Sequence, residues 1–234
     1  MDYRDYIDGQ TGDFFWFKSK KELIHILLKK SKGKKLKILN IGAGTGADLE
    51  IINKFGETYI IDINKKALDL IPPNFYFEKK VCDATALPYG NDYFDIICSF
   101  DVFEHIKDDK KAVLEAYRVL KKGGFLFFTV PAFNFLFSSH DKALHHYRRY
   151  NPKSLYNLLN KFEYGYFSYW NSILFIPIAL LRILKKRSGS KTDYFRLPSI
   201  LEKIFLNLLS IENRLIKKGY RLPFGLSLVG FFRK

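Results

Sequence analysis

The stretch ILNIGAGTGADL, residues 38–49, decides how the rest of the chain is read. An apolar strand ends at Ile41, glycines follow at 42, 44 and 46, and a helical pattern begins over Gly46–Phe55. Glycines without a Cβ let the backbone turn tightly and approach a ligand closely. A helix starting there would offer unpaired N–H groups to that ligand. Gly42-x-Gly44-x-x-Ala47 also satisfies the dinucleotide fingerprint, and Asp62 lies where a ribose-binding acid is expected. At this point a nicotinamide-type oxidoreductase and other nucleotide-cofactor proteins both remain open.

Outward from this turn, apolar runs alternate with helical patterns. Leu36–Gly42, Thr58–Ile63, Phe75–Val81, Phe94–Asp101 and Phe125–Val130 read as strands. The central runs are almost continuously apolar, as expected when both faces of a strand are covered. Gly46–Phe55, Asn64–Leu70 and Asp108–Leu120 read as helices, the last ended by Gly123–Gly124. Strand–helix alternation predicts an α/β fold with a parallel, doubly wound sheet. Further on, Asn151 caps a helix that opens with Pro152 and runs to about Phe162. Glu163–Trp170 reads as a strand, Ser172–Lys186 and Ser199–Lys218 as helices, Ser188–Arg196 as a polar linker and Gly225–Lys234 as a last strand.

Three further features separate the cofactor classes. Gly46 makes the turn G-x-G-x-G. A second acid, Asp83, ends the third strand in CDATALPYGNDYFDII. The next strand ends in SFDVFEHI, and a helix then leads to RVLKKGGFLFFTVP. This succession, over roughly residues 36–132, resembles the Rossmann-like (class I) S-adenosylmethionine-dependent methyltransferases, in particular the branch acting on small molecules, quinones and lipids. The block 131–234 is similar to a branch with the pattern S-H-D-x-x-x-x-H-x-R-R-Y and a C-terminal PFGLSL. The resemblance implies a seven-stranded, mostly parallel sheet with an antiparallel last strand and a helical lid insertion.

By this resemblance, Gly42, Ala43, Gly44 and Gly46 belong to the turn against the methionine and ribose part of S-adenosylmethionine. Asp62 would accept from both ribose hydroxyls, for which a carboxylate is suited. Ile63 would lie against the adenine, with Asp83 and the Ala84 backbone at its amino edge. Phe100 would line the methionine pocket. Asn40 stands where many relatives carry an acid that helps to hold the cofactor's ammonium.

A methyl sulfonium is already an activated electrophile, so positioning is the main demand, and a base is needed only for a protonated acceptor. His140 and His145 are the catalytic candidates, because they follow the fifth strand at the carboxyl edge of the sheet. Arg148, Arg149 and Tyr150 are the candidates for acceptor binding, since planar guanidinium donors fit phosphate or carboxylate. Asp101, Glu104 and His105 form a weaker candidate set for a divalent cation, and no metal is expected to be required.

Composition sets the outer limits. The chain has 234 residues, of which 47% are hydrophobic and 27% charged, enough for a large core without disulfide or metal staples. Cys82 and Cys98 are the only cysteines, which fits a reduced, cytoplasmic protein. The N-terminal MDYRDYIDGQ has no apolar h-region, so no signal peptide is expected. The net charge of +15 is uneven: residues 18–37 carry +8 and 182–234 carry +10, whereas 38–181 net zero.

ILFIPIALLRIL, residues 173–184, is followed at once by Lys185, Lys186 and Arg187. It is too short to span a bilayer, for which ~20 apolar residues are needed. It suits a helix lying on an anionic membrane surface. Nucleic acid is disfavoured, because no RNA-binding module is recognisable. The expected organisation is an N-terminal helical cap over 1–35, a cofactor-binding core over 36–132, an acceptor loop and helical lid over 133–224, and the last core strand over 225–234. The expected activity is methyl transfer from S-adenosylmethionine to oxygen, with nitrogen less favoured, of a hydrophobic or anionic acceptor, lipid-linked in one version. A nicotinamide-type oxidoreductase and a non-catalytic cofactor-binding scaffold are the alternatives.

Overall fold

The computed structural model describes residues 14–31, 33, 35–184 and 198–234. Its strands are β1 (Leu36–Ile41), β2 (Gly56–Asp62), β3 (Glu78–Val81), β4 (Phe94–Phe100), β5 (Leu120–Pro131), β6 (Tyr164–Trp170) and β7 (Ser227–Arg233). They form one sheet in the order β3-β2-β1-β4-β5-β7-β6. The first five are mutually parallel. β7 runs antiparallel to both of its neighbours, β5 and β6. This is the mostly parallel, Rossmann-like seven-stranded arrangement expected from the sequence.

The helices are α1 (Phe15–Leu28), α2 (Leu49–Ile52), α3 (Lys65–Asp69), α4 (Asp109–Val119), α5 (Ser139–Ala143), α6 (Pro152–Leu158), α7 (Phe175–Leu184) and α8 (Ser199–Lys217). Successive strand side chains point to opposite faces, so a strand covered on both sides must be apolar throughout. Leu39, Ile41, Ile97, Leu126 and Phe128 bury one face of the sheet together with Val113 and Ala116 of α4 and Leu155 of α6. Ile38, Ile60, Ile96, Phe127 and Val229 bury the other face with Leu23, Ile24 and Leu27 of α1 and Leu209 and Ile216 of α8.

α1 and α8 are held to each other by polar contacts at their buried seam. Asn213 Nδ2 donates to the Ser19 carbonyl at 3.0 Å and to Glu22 Oε2 at 2.8 Å. Asn213 Oδ1 in turn accepts from the Trp170 indole at 3.0 Å, which ties both helices to the end of β6. Glu212 on α8 accepts from the backbone N–H groups of Asn171, Ser172 and Ile173, so the chain entering α7 is anchored as well.

Several boundaries differ from the sequence reading. The helix expected over Gly46–Phe55 is a single turn, Leu49–Ile52. The Gly123–Gly124 pair lies inside β5, which begins at Leu120 as soon as α4 ends. α6 ends at Leu158, although Asn151 does cap it, its Oδ1 accepting from Ser154 N at 2.8 Å. The Lys185, Lys186 and Arg187 cluster, the linker over 188–196 and residues 1–13 of the expected cap lie outside the described residues. No described helix is long and apolar enough to cross a membrane.

Candidate functional site

The carboxyl ends of β1, β2 and β4 open onto a cavity of about 1080 Å³. That is slightly above the usual range for small-molecule sites, roughly 300–1,000 Å³. One wall is the glycine turn. Gly42, Gly44 and Gly46 all have positive φ, at 69°, 54° and 82°. A Cβ on Gly42 would lie 2.5 Å from Val102 Cγ2, so the turn packs directly on the segment after β4. A Cβ on Gly44 would meet nothing within 4 Å. Gly42, Ala43 and Gly44 line the cavity, and Gly46 does not. The amides of Ala43, Gly44, Gly46 and Leu49 are all bonded within the turn or to β2. Thr45, Ala47 and Asp48, between these bonded positions and the start of α2, also line the cavity.

Asp62, at the end of β2, holds this turn. Its carboxylate accepts from Gly44 N and from Asn64 N, each at 2.8 Å, and it also lines the cavity. Asp83 follows β3, and its Oδ1 accepts from Thr85 N at 2.8 Å. Ile63, 73% exposed, Ala84 and Phe100 complete this wall. Asn40 is corrected: it is buried in β1 between Ile60 and Cys98 and lies outside the cavity lining. Being within the strand rather than past its end, it is enclosed by the sheet.

The next wall comes from the first helix, which sequence reasoning did not place at the site. Phe14, Phe15, Trp16, Phe17 and Lys20 line the cavity. Lys20 Nζ lies 2.7 Å from Asp101 Oδ2 and 3.8 Å from Asp48 Oδ2. Burial alone would lower the Lys20 ammonium, but Asp101 and Asp48 together hold it above its ordinary value. Asp101 also accepts from the Thr129 hydroxyl at 2.8 Å. The aromatic run FFWF, residues 14–17, was the available signal.

The segment after β5 supplies the last wall and sorts the remaining candidates. Asp141, fully buried, accepts from Ser138 N, from Nε and Nη2 of Arg149, and faces Nδ1 of His146 at 3.0 Å. Burial works against its charge, but these partners hold its carboxyl well below the usual carboxylate range. The third Arg149 nitrogen, Nη1, donates to the Ala132 carbonyl at 3.1 Å. Arg149 lines the cavity, yet all three of its nitrogens have protein partners, so its reading as an anion grip is corrected to a buried strut. Arg148 pairs with Asp109 at 2.5 Å and donates to the Lys107 carbonyl. Tyr150 donates to Asp109 at 2.8 Å. Neither lines the cavity, and both are corrected from acceptor binding to bracing of α4. His140, His145 and His146 do line it.

Glu104, His105 and His146 come together where this segment meets the end of β4. Tyr147 N donates to the Glu104 carbonyl at 2.8 Å, and the His105 and His146 rings meet edge to face at 4.5 Å. Their ligand atoms all lie within 4.8 Å of one another. Burial, with Asp101 adding to it, pushes the Glu104 carboxyl up to about 8. Burial lowers the His105 imidazole to about 3. The candidate metal set of Asp101, Glu104 and His105 is thus corrected: Asp101 is engaged by Lys20 and Thr129, and His146 takes its place.

Residues 39–128 match a family described as methyltransferase domain. The ubiquinone/menaquinone biosynthesis C-methyltransferase of Vibrio vulnificus is 32% identical over 127 residues, covering 47% of this chain and 48% of the relative. The ubiquinone biosynthesis O-methyltransferase of Thiobacillus denitrificans is 31% identical over 101 residues, covering 40% of this chain and 43% of the relative. The chain thus spans just under half the length of these curated relatives. The structure of a SAM-dependent methyltransferase from Archaeoglobus fulgidus superposes with a TM-score of 0.54 at 17% identity, covering 92% of this chain and 94% of that one. At that identity the likeness speaks for the fold.

Proposed function

We propose that this chain, built around a class I S-adenosylmethionine-dependent methyltransferase domain, methylates an oxygen of a hydrophobic or anionic small molecule, of quinone type or lipid-linked. The observation that carries the reading is the pairing of two walls around one cavity. One wall has the glycine turn with Asp62 and Asp83 at adjacent strand ends. The other has imidazoles and aromatic rings.

The residues present suit the cofactor. The space in front of Gly44 would be filled by any Cβ, so backbone approach is possible there. Asp62 uses one lone pair of each oxygen on the turn and keeps others for two ribose hydroxyls. Asp83 and Ala84 stand where an adenine amino edge would bind, beside the exposed Ile63. When bound, the cofactor supplies an activated methyl group on a sulfonium. The chain must then orient the acceptor and exclude water. Phe14, Trp16, Phe17, Pro177, Ile178 and Phe205 provide the apolar closure. His140 and His145 are the groups proposed to take a proton from a hydroxyl acceptor.

The acceptor's route follows from the same helices. Pro177, Ile178 and Phe205 face inward, while Ile176, Leu180, Ile200 and Ile204 are exposed. Together with the +10 carried by residues 182–234, this supports a cytoplasmic protein resting on the inner face of an anionic membrane, α7 and α8 forming the lid.

The test is calorimetry with S-adenosylmethionine, S-adenosylhomocysteine and NAD, followed by incubation with labelled S-adenosylmethionine and reduced quinones or extracted lipids. Binding of the first two ligands and a labelled ether product are expected. Binding of NAD alone would favour an oxidoreductase. Cofactor binding with no labelled product from any extract would favour a scaffold, and label on nitrogen or carbon would correct the acceptor atom.

A further inference from the structure

We infer that Lys20 on the first helix selects ligands by their carboxylate: with Asp48 and Asp101 it forms a subsite for a zwitterionic amino-acid group, Lys20 holding the carboxylate and the two aspartates the ammonium. On the S-adenosylmethionine reading, on which this rests, that group is the methionine end of the cofactor.

The strand ends set the direction in which such a ligand lies. Asp83 follows β3, Asp62 ends β2, the glycine turn follows β1 and Asp101 follows β4, and the sheet runs in the order β3-β2-β1-β4. Neighbouring strands are about 4.8 Å apart, so three steps carry this row of groups over roughly 14 Å. A nucleoside with its base at Asp83 and its ribose at Asp62 therefore extends past the turn toward Asp101. Asp48 stands directly before α2, yet its side chain makes no capping hydrogen bond to that helix. Lys20, Asp48 and Asp101 all line the cavity.

Among the described residues, Lys20, Lys107 and Arg149 are the lysine and arginine side chains in the cavity lining. Arg149 commits its three nitrogens to Asp141 and the Ala132 carbonyl, and Lys107 is exposed. The Lys20 side chain is only 12% exposed. Its ammonium carries three N–H donors. One goes to Asp101 at 2.7 Å, whereas Asp48 at 3.8 Å attracts the charge but is too far for a hydrogen bond. No other described residue accepts from Lys20, so donors remain for a ligand oxygen, and a buried ammonium left short of partners is costly. The end of β1 offers no charge here, because Asn40 is neutral and lies outside the lining. Two aspartates against one lysine leave the group with a net negative charge. A zwitterion with its ammonium toward the aspartates and its carboxylate toward Lys20 makes the signs alternate. The same helix places Phe14, Trp16 and Phe17 in the cavity wall, so the contact to the carboxylate and the apolar closure are carried by one element.

Calorimetry with three ligands tests this: S-adenosylmethionine, its decarboxylated form, and 5′-methylthioadenosine, which lacks both charged groups. Wild type should bind S-adenosylmethionine at least about tenfold tighter than the decarboxylated form, the scale of one hydrogen bond between charged groups. Lys20→Met should remove that preference and leave the affinity for 5′-methylthioadenosine unchanged. Asp48→Asn should weaken S-adenosylmethionine and its decarboxylated form alike, since both keep the amine, and should also spare 5′-methylthioadenosine. Thermal melts identify variants that do not fold, and Lys20→Gln, which loses the charge but keeps a donor for Asp101, serves if Lys20→Met is one of them. A wild type without the preference, or a Lys20 variant that retains it, overturns the assignment. Equal losses for all three ligands would make Lys20 a brace of the fold and overturn it as well. Failure of wild type to bind any of the three overturns the S-adenosylmethionine reading itself, and this subsite with it.

Discussion

Lys20 Nζ lies 2.7 Å from Asp101 Oδ2, so the first helix is bound to the residue that follows the fourth strand. The pair spans 81 positions of sequence and sits on the cavity wall. Asp101 adopts a φ of 56° there, a left-handed conformation uncommon for a residue with a Cβ. Its backbone N–H donates to the Thr129 carbonyl and its side chain accepts from the Thr129 hydroxyl. This clasp joins α1, β4 and β5 at the point where the cavity begins.

Lys20→Met should therefore lower stability by about 1.5–3 kcal/mol, the range for a hydrogen bond to a charged group. That corresponds to several degrees in thermal midpoint for a chain of this size. The pH dependence has a definite sign. Lys20 is raised above 10.5 in the folded state, so its contribution is complete below 10.5 and is lost as pH climbs through the raised value. Burial pushes the Asp101 carboxyl up, but Lys20 and Thr129 outweigh it and hold it below 3.8. Its contribution is complete above 3.8 and is lost as pH falls through the lowered value. Thermal melts should show a wild-type-to-variant difference that is flat across neutral pH and shrinks at both extremes. A difference that grows toward acid would contradict the pairing.

The glycine turn makes two substitutions separable. Gly42→Ala places a methyl 2.5 Å from Val102 and should destabilise the fold by several degrees in thermal midpoint. Gly44→Ala meets no protein atom and should cost only about 1 kcal/mol, for the left-handed backbone. Its methyl would occupy the ligand's space, so S-adenosylmethionine affinity should fall at least tenfold. If Gly44→Ala binds the cofactor as wild type does, the turn is not the cofactor's cradle.

Asp62→Ala removes two things at once: an acceptor for the ribose and the carboxylate that holds Gly44 N and Asn64 N. A loss of ~1.5–3 kcal/mol in cofactor binding is expected from the hydrogen bonds to a charged group alone. Calorimetry showing unchanged affinity would remove Asp62 from the site.

Neighbouring arginines should behave differently. Arg149 is 2% exposed and bound to a fully buried Asp141, so Arg149→Met leaves an uncompensated buried charge and should cost about 3–5 kcal/mol. Arg148 is 31% exposed and its partner Asp109 keeps the Tyr150 hydroxyl, so Arg148→Met should cost less than Arg149→Met. Urea unfolding of the two variants gives the comparison, and equal losses would refute the assignment of Arg149 as the buried strut.

Cosedimentation should be strong with anionic vesicles at low salt, weaken as salt rises and be poor with neutral vesicles. Replacing Ile176 and Leu180 by Gln, or Lys185, Lys186 and Arg187 by Gln, should each reduce it without changing cofactor affinity. No binding to anionic vesicles at low salt would make α7 an ordinary lid over a soluble acceptor.

Legibility varied with the range of the forces involved. Asp62 and Asp83 could be placed at the sheet edge from sequence because Asp62 ends the apolar strand β2 and Asp83 lies two residues past β3. Their position at the sheet edge is a consequence of local chain geometry. The turn's glycines were legible for the same reason, although which of them faces the cavity was not. That depends on Val102 and Ile71, which approach from other parts of the chain. Arg148, Arg149 and Tyr150 were misread because basic and aromatic side chains after a strand look alike whether they grip a ligand or brace the fold. Only the buried Asp109 and Asp141, placed by packing, separate the two roles.

The sequence by itself determined the α/β class, the order of strands along the chain and the glycine turn with acids at the neighbouring strand ends, since hydrophobic period and glycine spacing act over a few residues. Tertiary structure alone decided that Lys20 reaches Asp101, that His146 rather than Asp101 joins Glu104 and His105, and that β7 lies between β5 and β6. The physical reason is burial. Charged and polar side chains removed from water must find partners, and which partner is within reach is set by the packing of segments distant in sequence, which local pattern does not encode.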